Sequence, residues 1–234
     1  MALALNNKMT FEERFSPLDS AQAQFVSKVY SGLTYSLVVA TVACAMAISL
    51  FNQMPVPQVR AITTVCIIAE VVLALIAAFV RFSGPFGWLF LTVFVALTGV
   101  TLAPILIIYE KLAGVGTIAA ALALTATIFL TLTAYVRYSG KDFSWMGGFL
   151  WMGLFGLIIV GVLSIFLPMP NVNYWTSWFG AVLFSGWILY DTSAVTRQYY
   201  QDDNVVGAVI NLYLDILNLF LYILRILGDR RSNN

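Results

Sequence analysis

The chain has 234 residues, 61% of them hydrophobic and 10% charged, with 12 basic and 11 acidic residues and a net charge of +1. A water-facing surface needs roughly a quarter charged residues, so the composition excludes an ordinary soluble enzyme, a disordered tail and a disulfide-rich secreted module. It points to an integral membrane protein, and the near-zero net charge gives no basic field for nucleic acid. Histidine is absent, which removes the usual proton switch near neutral pH and the commonest transition-metal ligand. Cys44 and Cys66 lie in apolar stretches, unsuited to a disulfide framework or a thiolate metal site.

The first 28 residues are polar, carrying Lys8, Glu12, Glu13, Arg14, Asp19 and Lys28, and they lack the apolar core of a cleavable secretory signal. They read as a cytoplasmic tail (1–28), followed by a membrane domain (29–228) and a short polar C-terminal tail (229–234). A bilayer core takes about 20 apolar residues per helix. By that measure residues 33–51, 61–80, 86–108 and 112–136 are the first four spans, broken at Pro55 and Pro57, at Ser83-Gly84-Pro85 and at Glu110-Lys111. The uncharged stretch 143–190 is too long for one crossing, and Pro168-Met169-Pro170-Asn171 divides it into a fifth and a sixth span. A seventh runs from Val205 to about Leu224. The expectation is an all-α, seven-helix transmembrane bundle in one compact unit.

Lys8, Arg14, Lys28, Arg81, Arg137, Lys141 and Arg197 fall on the side of the N-terminus, against Arg60 and Lys111 opposite, which puts the N-terminus in the cytoplasm. Arg225, Arg230 and Arg231 run against that rule, leaving the seventh segment open between a full crossing and a re-entrant one. Ala119, Ala123 and glycines 147, 148, 153, 156 and 161 offer small faces for close helix contact. Tryptophans 88, 145, 175, 178 and 187 read as an interfacial belt, and Arg60, Arg137, Arg197 and Arg225 as interfacial anchors.

A charge at the bilayer centre costs roughly 3 kcal/mol on insertion scales, so ionisable residues inside spans are functional candidates. Glu70, Asp191 and Asp215 qualify. Asp191 and Asp215 each lie 12 positions from residue 203, in the turn joining the sixth and seventh spans. A helical hairpin therefore brings them to one depth, while helix rotation decides whether they face each other. Facing carboxylates in low dielectric share a proton and titrate as a pair, a switch that needs no histidine. The plainer alternative is two acids that each hydrogen-bond locally and stabilise the bundle. Arg81, closing the second span, either pairs inward with Asp191 or snorkels at the boundary. Asp202-Asp203 reads as a solvated turn.

Phe184-Ser185-Gly186-Trp187-Ile188-Leu189-Tyr190-Asp191, Leu212-Tyr213-Leu214-Asp215-Ile216-Leu217-Asn218-Leu219-Phe220 and Leu224-Arg225-Ile226-Leu227-Gly228 together resemble the C-terminal signature of the Bax inhibitor motif family. Ile68-Ala69-Glu70, Phe79-Val80-Arg81 and Leu97-Thr98-Gly99-Val100-Thr101-Leu102-Ala103-Pro104-Ile105 are similar to its bacterial branch, which includes a pH-sensitive calcium-leak protein. The resemblance implies a seven-helix fold with the last helix central. It implies Asp191 and Asp215 as a paired-aspartate pH sensor that transiently holds calcium, Arg81 as its latch and Glu70 as a pore-side acid. The implied role is a passive, pH-regulated calcium leak in a bacterial inner membrane. Calcium ions and protons are then the species handled, the bilayer and a further membrane protein the partners, and no cofactor is expected.

Two rivals stand beside the channel. An intramembrane aspartyl protease also uses two aspartates, but Leu212-Tyr213-Leu214-Asp215 lacks the Gly-x-Gly-Asp of such enzymes, and the chain is read as a non-enzyme. The other is a non-conducting regulator that binds a membrane protease or channel.

Overall fold

A computed structural model describes residues 20–81, 84–167, 172–201 and 203–232. Most of the expected N-terminal tail, Ser83 of the break between the second and third spans, the Pro168–Asn171 break, Asp202 and the last two residues lie outside the described residues. The elements are α1 (Ser20–Phe51), α2 (Val56–Phe79), α3 (Gly84–Ala113), α4 (Val115–Ser139), one 3-10 turn (Ser144–Met146), α5 (Gly147–Phe166), α6 (Val172–Gln201) and α7 (Val205–Ser232). Each long helix overlaps one expected span, with most ends a few residues away; Glu110 and Lys111, expected as a break, are helical in α3, and the chain breaks at Gly114 instead. α1 begins at Ser20, inside the stretch read as polar tail, and α7 continues to Ser232. A hydropathy window finds only the lipid-buried part of a helix, whereas hydrogen bonding carries the helix on into water.

Local chemistry explains the breaks. α2 starts after Pro55 with Pro57 in its first turn, where a missing N–H costs nothing. Gly114, at φ +79°, is the single residue between α3 and α4, and Gly140, at φ +59°, caps α4 with its N–H on the Val136 carbonyl. Both conformations favour glycine because a Cβ would clash with the backbone.

Among the described residues six helices are long and apolar enough to cross a membrane by length and composition; α6, though 30 residues long, is not apolar enough. α7 is unbroken over 28 residues, about 42 Å at 1.5 Å per residue, long enough for a complete crossing. Large apolar side chains such as Val38, Met46, Val65, Phe79, Phe149 and Val182 cover the outside of the bundle. Such a surface requires lipid, so this is an integral membrane protein.

α7 is the central element. Of its span 56% is buried, against 0–33% for the five other helices apolar enough to cross, and it packs on α1, α3, α4 and α6. Leu91, Phe94, Val95, Val209 and Leu212 form a core between α1, α3 and α7, and Leu150, Leu183, Ile188, Leu219 and Leu224 a second between α5, α6 and α7. α2 rests on α3 with none of its span buried.

The small-residue faces differ from expectation. α4 buries Thr117, Ala121 and Thr125, one helical stripe, while Ala119 and Ala123 face outward. Gly147 and Gly153 do meet neighbours, Tyr190 and Leu183, but Gly148, Gly156 and Gly161 face open space. Trp187 is not in a belt; it is buried in α6 and makes edge contacts with Trp151 and Tyr190, ring centroids 5.5 Å away in each case.

The start of α1, the ends of α2, α4 and α6 and the start of α7 share one end of the bundle. Gln22 Nε2 donates to the Thr196 carbonyl at 3.1 Å, and Arg197 Nη2 to the Gly140 carbonyl at 3.0 Å. The α2 end and the first turns of α7 line a common cavity.

Candidate functional site

The turn at Asp203 (φ +48°) and Asn204 reverses the chain from α6 into α7, and Asn204 Oδ1 caps α7 by accepting the Gly207 N–H at 3.0 Å. Antiparallel packing of these two helices brings Asp191 and Asp215 into a direct side-chain hydrogen bond deep in the bundle. Asp191 is 2% and Asp215 5% exposed, among Ile188, Val195, Leu212 and Leu219. Two ionised carboxylates only accept, so this bond needs one proton between them. While the bond is made the pair carries one net charge, and a second charge there is costly unless something compensates it. Asp215 Oδ2 has no protein partner.

Glu70 joins a different set. Half-buried on α2, its Oε2 accepts from the Thr101 hydroxyl of α3 at 3.0 Å, and that hydroxyl also lies 3.0 Å from the Thr98 carbonyl. The Thr98 hydroxyl hydrogen-bonds with the Tyr213 hydroxyl of α7. Tyr213 is two residues from Asp215, so α7 turns one face to the acid pair and roughly the opposite face to the Glu70 set.

Arg81 lies at the exposed end of α2 and lines a cavity of about 170 Å³ with Asn204, Val206, Gly207 and Ile210 of α7. At a separate cavity, lined by Asp142, Ser144, Tyr190 and Ser193, Arg197 does more than anchor an interface. Its Nη1 is 3.4 Å from Asp142 Oδ2, and the Ser144 N–H donates to Asp142 Oδ1 at 2.9 Å. The Phe143 N–H points to Ser193 Oγ at 3.4 Å. This clasp fastens the α4–α5 connection to α6 within two turns of Asp191. The Ser144 backbone N–H, helped by Arg197, holds the Asp142 carboxyl below its usual range.

The sequence alone assigns no role to Thr98, Thr101, Tyr213 or Asp142. Hydroxyls inside apolar helices give no signal on their own, since most bond to the preceding turn. Among the described residues, no three Cys, Asp or Glu side chains gather as a metal cluster.

The fold and this site define a class: a helical membrane protein wrapped around a central helix that shares a buried, hydrogen-bonded acid pair with its neighbour. The family model described as inhibitor of apoptosis-promoting Bax1 matches residues 22–232, and the chain belongs to that family. An uncharacterized protein of Rickettsia prowazekii is 30% identical over 96% of this chain and 97% of its own length. An uncharacterized membrane protein of Vibrio cholerae is 41% identical over 63% of this chain, and a Schizosaccharomyces pombe protein named Bax inhibitor 1 is 34% identical over 65%. Those two matches span only 65% and 56% of the respective relatives.

Proposed function

We propose that the protein is a pH-regulated, calcium-permeable leak pathway with Asp191 and Asp215 as its sensor. The observation that carries this reading is the buried hydrogen bond between two carboxyls on adjacent helices. Losing or gaining the shared proton changes the charge at that point by one unit, in surroundings where a unit charge is costly. Helix packing around the pair then has two states whose balance follows pH. The deprotonated oxygens suit a hard cation in transit. Arg81, at the cavity beside the α7 start, acts as the latch that compensates the deprotonated pair, and Glu70 as a further acid along the pathway. The N-terminus is cytoplasmic, in a bacterial inner membrane.

Purified protein in vesicles with a trapped calcium dye tests this. Flux is expected to vary with external pH in the native chain, and Asp191→Asn or Asp215→Asn should flatten that dependence. Flux and pH dependence unchanged in both variants would overturn the sensor. The name Bax inhibitor 1 carried by one relative favours a second reading, a non-conducting regulator of another membrane protein. No flux at any pH, together with a stable co-purifying partner, decides for it.

A further inference from the structure

Tyr30 of α1 and Thr133 of α4 converge on Thr192 of α6, the residue after Asp191. The Tyr30 phenol approaches both threonine hydroxyls, and Arg137 acts on it electrostatically from one turn beyond Thr133. Neither the Thr133 nor the Thr192 hydroxyl completes a hydrogen bond within the protein, and neither does Asp215 Oδ2. Most threonines of this bundle bond to the carbonyl three or four residues back, as Thr117, Thr125 and Thr131 do. Thr133 and Thr192 are exceptions. Buried oxygens without a protein partner are costly unless ordered water bridges them. Burial also grades along the group: Arg137 is exposed, Thr133 half-buried, Thr192 and the adjoining Asp191 buried. The hydroxyls thus lead from an exposed cation at the end of α4 to the residue next to Asp191.

We propose that Tyr30, Thr133 and Thr192, with bridging water, form the route by which protons reach the Asp191–Asp215 pair. This rests on the reading of that pair as the sensor. Each hydroxyl accepts a proton on a lone pair and releases its own to the next group, so each ends as it began. The net step moves one proton from water at the Arg137 end to a carboxylate of the pair. The charged and titratable groups around the route are Arg137 from α4, Tyr30 from α1, Asp191 and Tyr190 from α6, and Asp215 from α7. Asp142, on the α4–α5 connection, acts electrostatically on Tyr190 from the side of the clasp.

A rapid pH jump on the full chain in vesicles, followed by the infrared band of a protonated carboxyl, tests the route. The band should be lost in Asp191→Asn or Asp215→Asn; a band kept in both overturns the pair reading itself. Given the band, Tyr30→Phe and Thr133→Val should slow its relaxation about tenfold while leaving the pH midpoint in place, because a relay sets rate and not equilibrium. Relaxation at the native rate in both variants overturns the route and leaves the sensor standing. A moved midpoint at the native rate also overturns it, since that marks a purely electrostatic or structural role. Thr192→Ser, which keeps the hydroxyl, should relax as the native chain does; a tenfold slower rate there would count against the hydroxyl as the operative group.

Discussion

Gly99 sits where α3 crosses α1. A Cβ there would overlap the Ala40 carbonyl oxygen, with Ala43 Cβ at 3.0 Å and the Cys44 nitrogen at 3.1 Å. Backbone cannot step aside as a flexible side chain can, so Gly99→Ala should destabilise the bundle by about 2 kcal/mol through overpacking. Gly156, helical in α5 with nothing within 4 Å of a Cβ, is the control: alanine there should be neutral or gain up to about 1 kcal/mol from helix propensity. Thermal unfolding of both variants in detergent separates the two outcomes. Equal loss at both positions would mean that α1 and α3 do not approach as closely as this. Composition and hydropathy could not tell these glycines apart. Both lie in apolar helices, and only the rotation of each helix decides which one meets a neighbour.

At the scale of elements, the same rotation explains what was legible. Apolar runs and the proline or polar breaks between them located all seven helices, because both report on a helix as a whole. The equal spacing of Asp191 and Asp215 from the turn located their depth, since depth depends on count alone. Their facing each other depends on rotation set by packing, as does the burial of Thr117, Ala121 and Thr125 instead of Ala119 and Ala123. The Asp142–Arg197 clasp was invisible because it joins residues 55 apart through a connection that hydropathy reads only as polar. Its pH behaviour follows from sign. A carboxyl held below its ordinary value stabilises the fold above the unfolded value, and that contribution disappears as pH falls through the lowered folded value. The pair is part-exposed, so Arg197→Ala should cost under about 1 kcal/mol globally. Locally, exchange of the 140–146 amides, corrected for the intrinsic effect of pH, should quicken in Arg197→Ala at neutral pH and in the native chain in acid. Amides that exchange alike in both chains at neutral pH would show that the clasp does not hold the connection.

Across the whole molecule, burial is very uneven. α7 is held from four sides, while α2 lies on α3 alone among its substantial helix contacts and buries none of its span. Segments with few buried contacts open first, so α2 is the element most readily displaced. A polar tie within its span is Glu70 on Thr101, which continues through Thr98 to Tyr213 on the central helix. A change around α7 can therefore reach α2 through three hydroxyls, and a displacement of α2 can reach α7 by the same path. The two native thiols report on this coupling, because Cys66 is half-buried on α2 and Cys44 is buried on α1 against α3. Thr101→Val removes the donor to Glu70, a loss of about 1–3 kcal/mol for a half-buried carboxylate. Labelling of Cys66 by a membrane-permeant maleimide should then accelerate about tenfold, the factor that 1.4 kcal/mol of easier opening produces, while Cys44 labels at the native rate. If both thiols accelerate together, the substitution loosens the whole bundle and α2 has no separate tether. If neither does, packing on α3 is sufficient to hold α2, and Glu70 is kept in the membrane for a reason other than attachment.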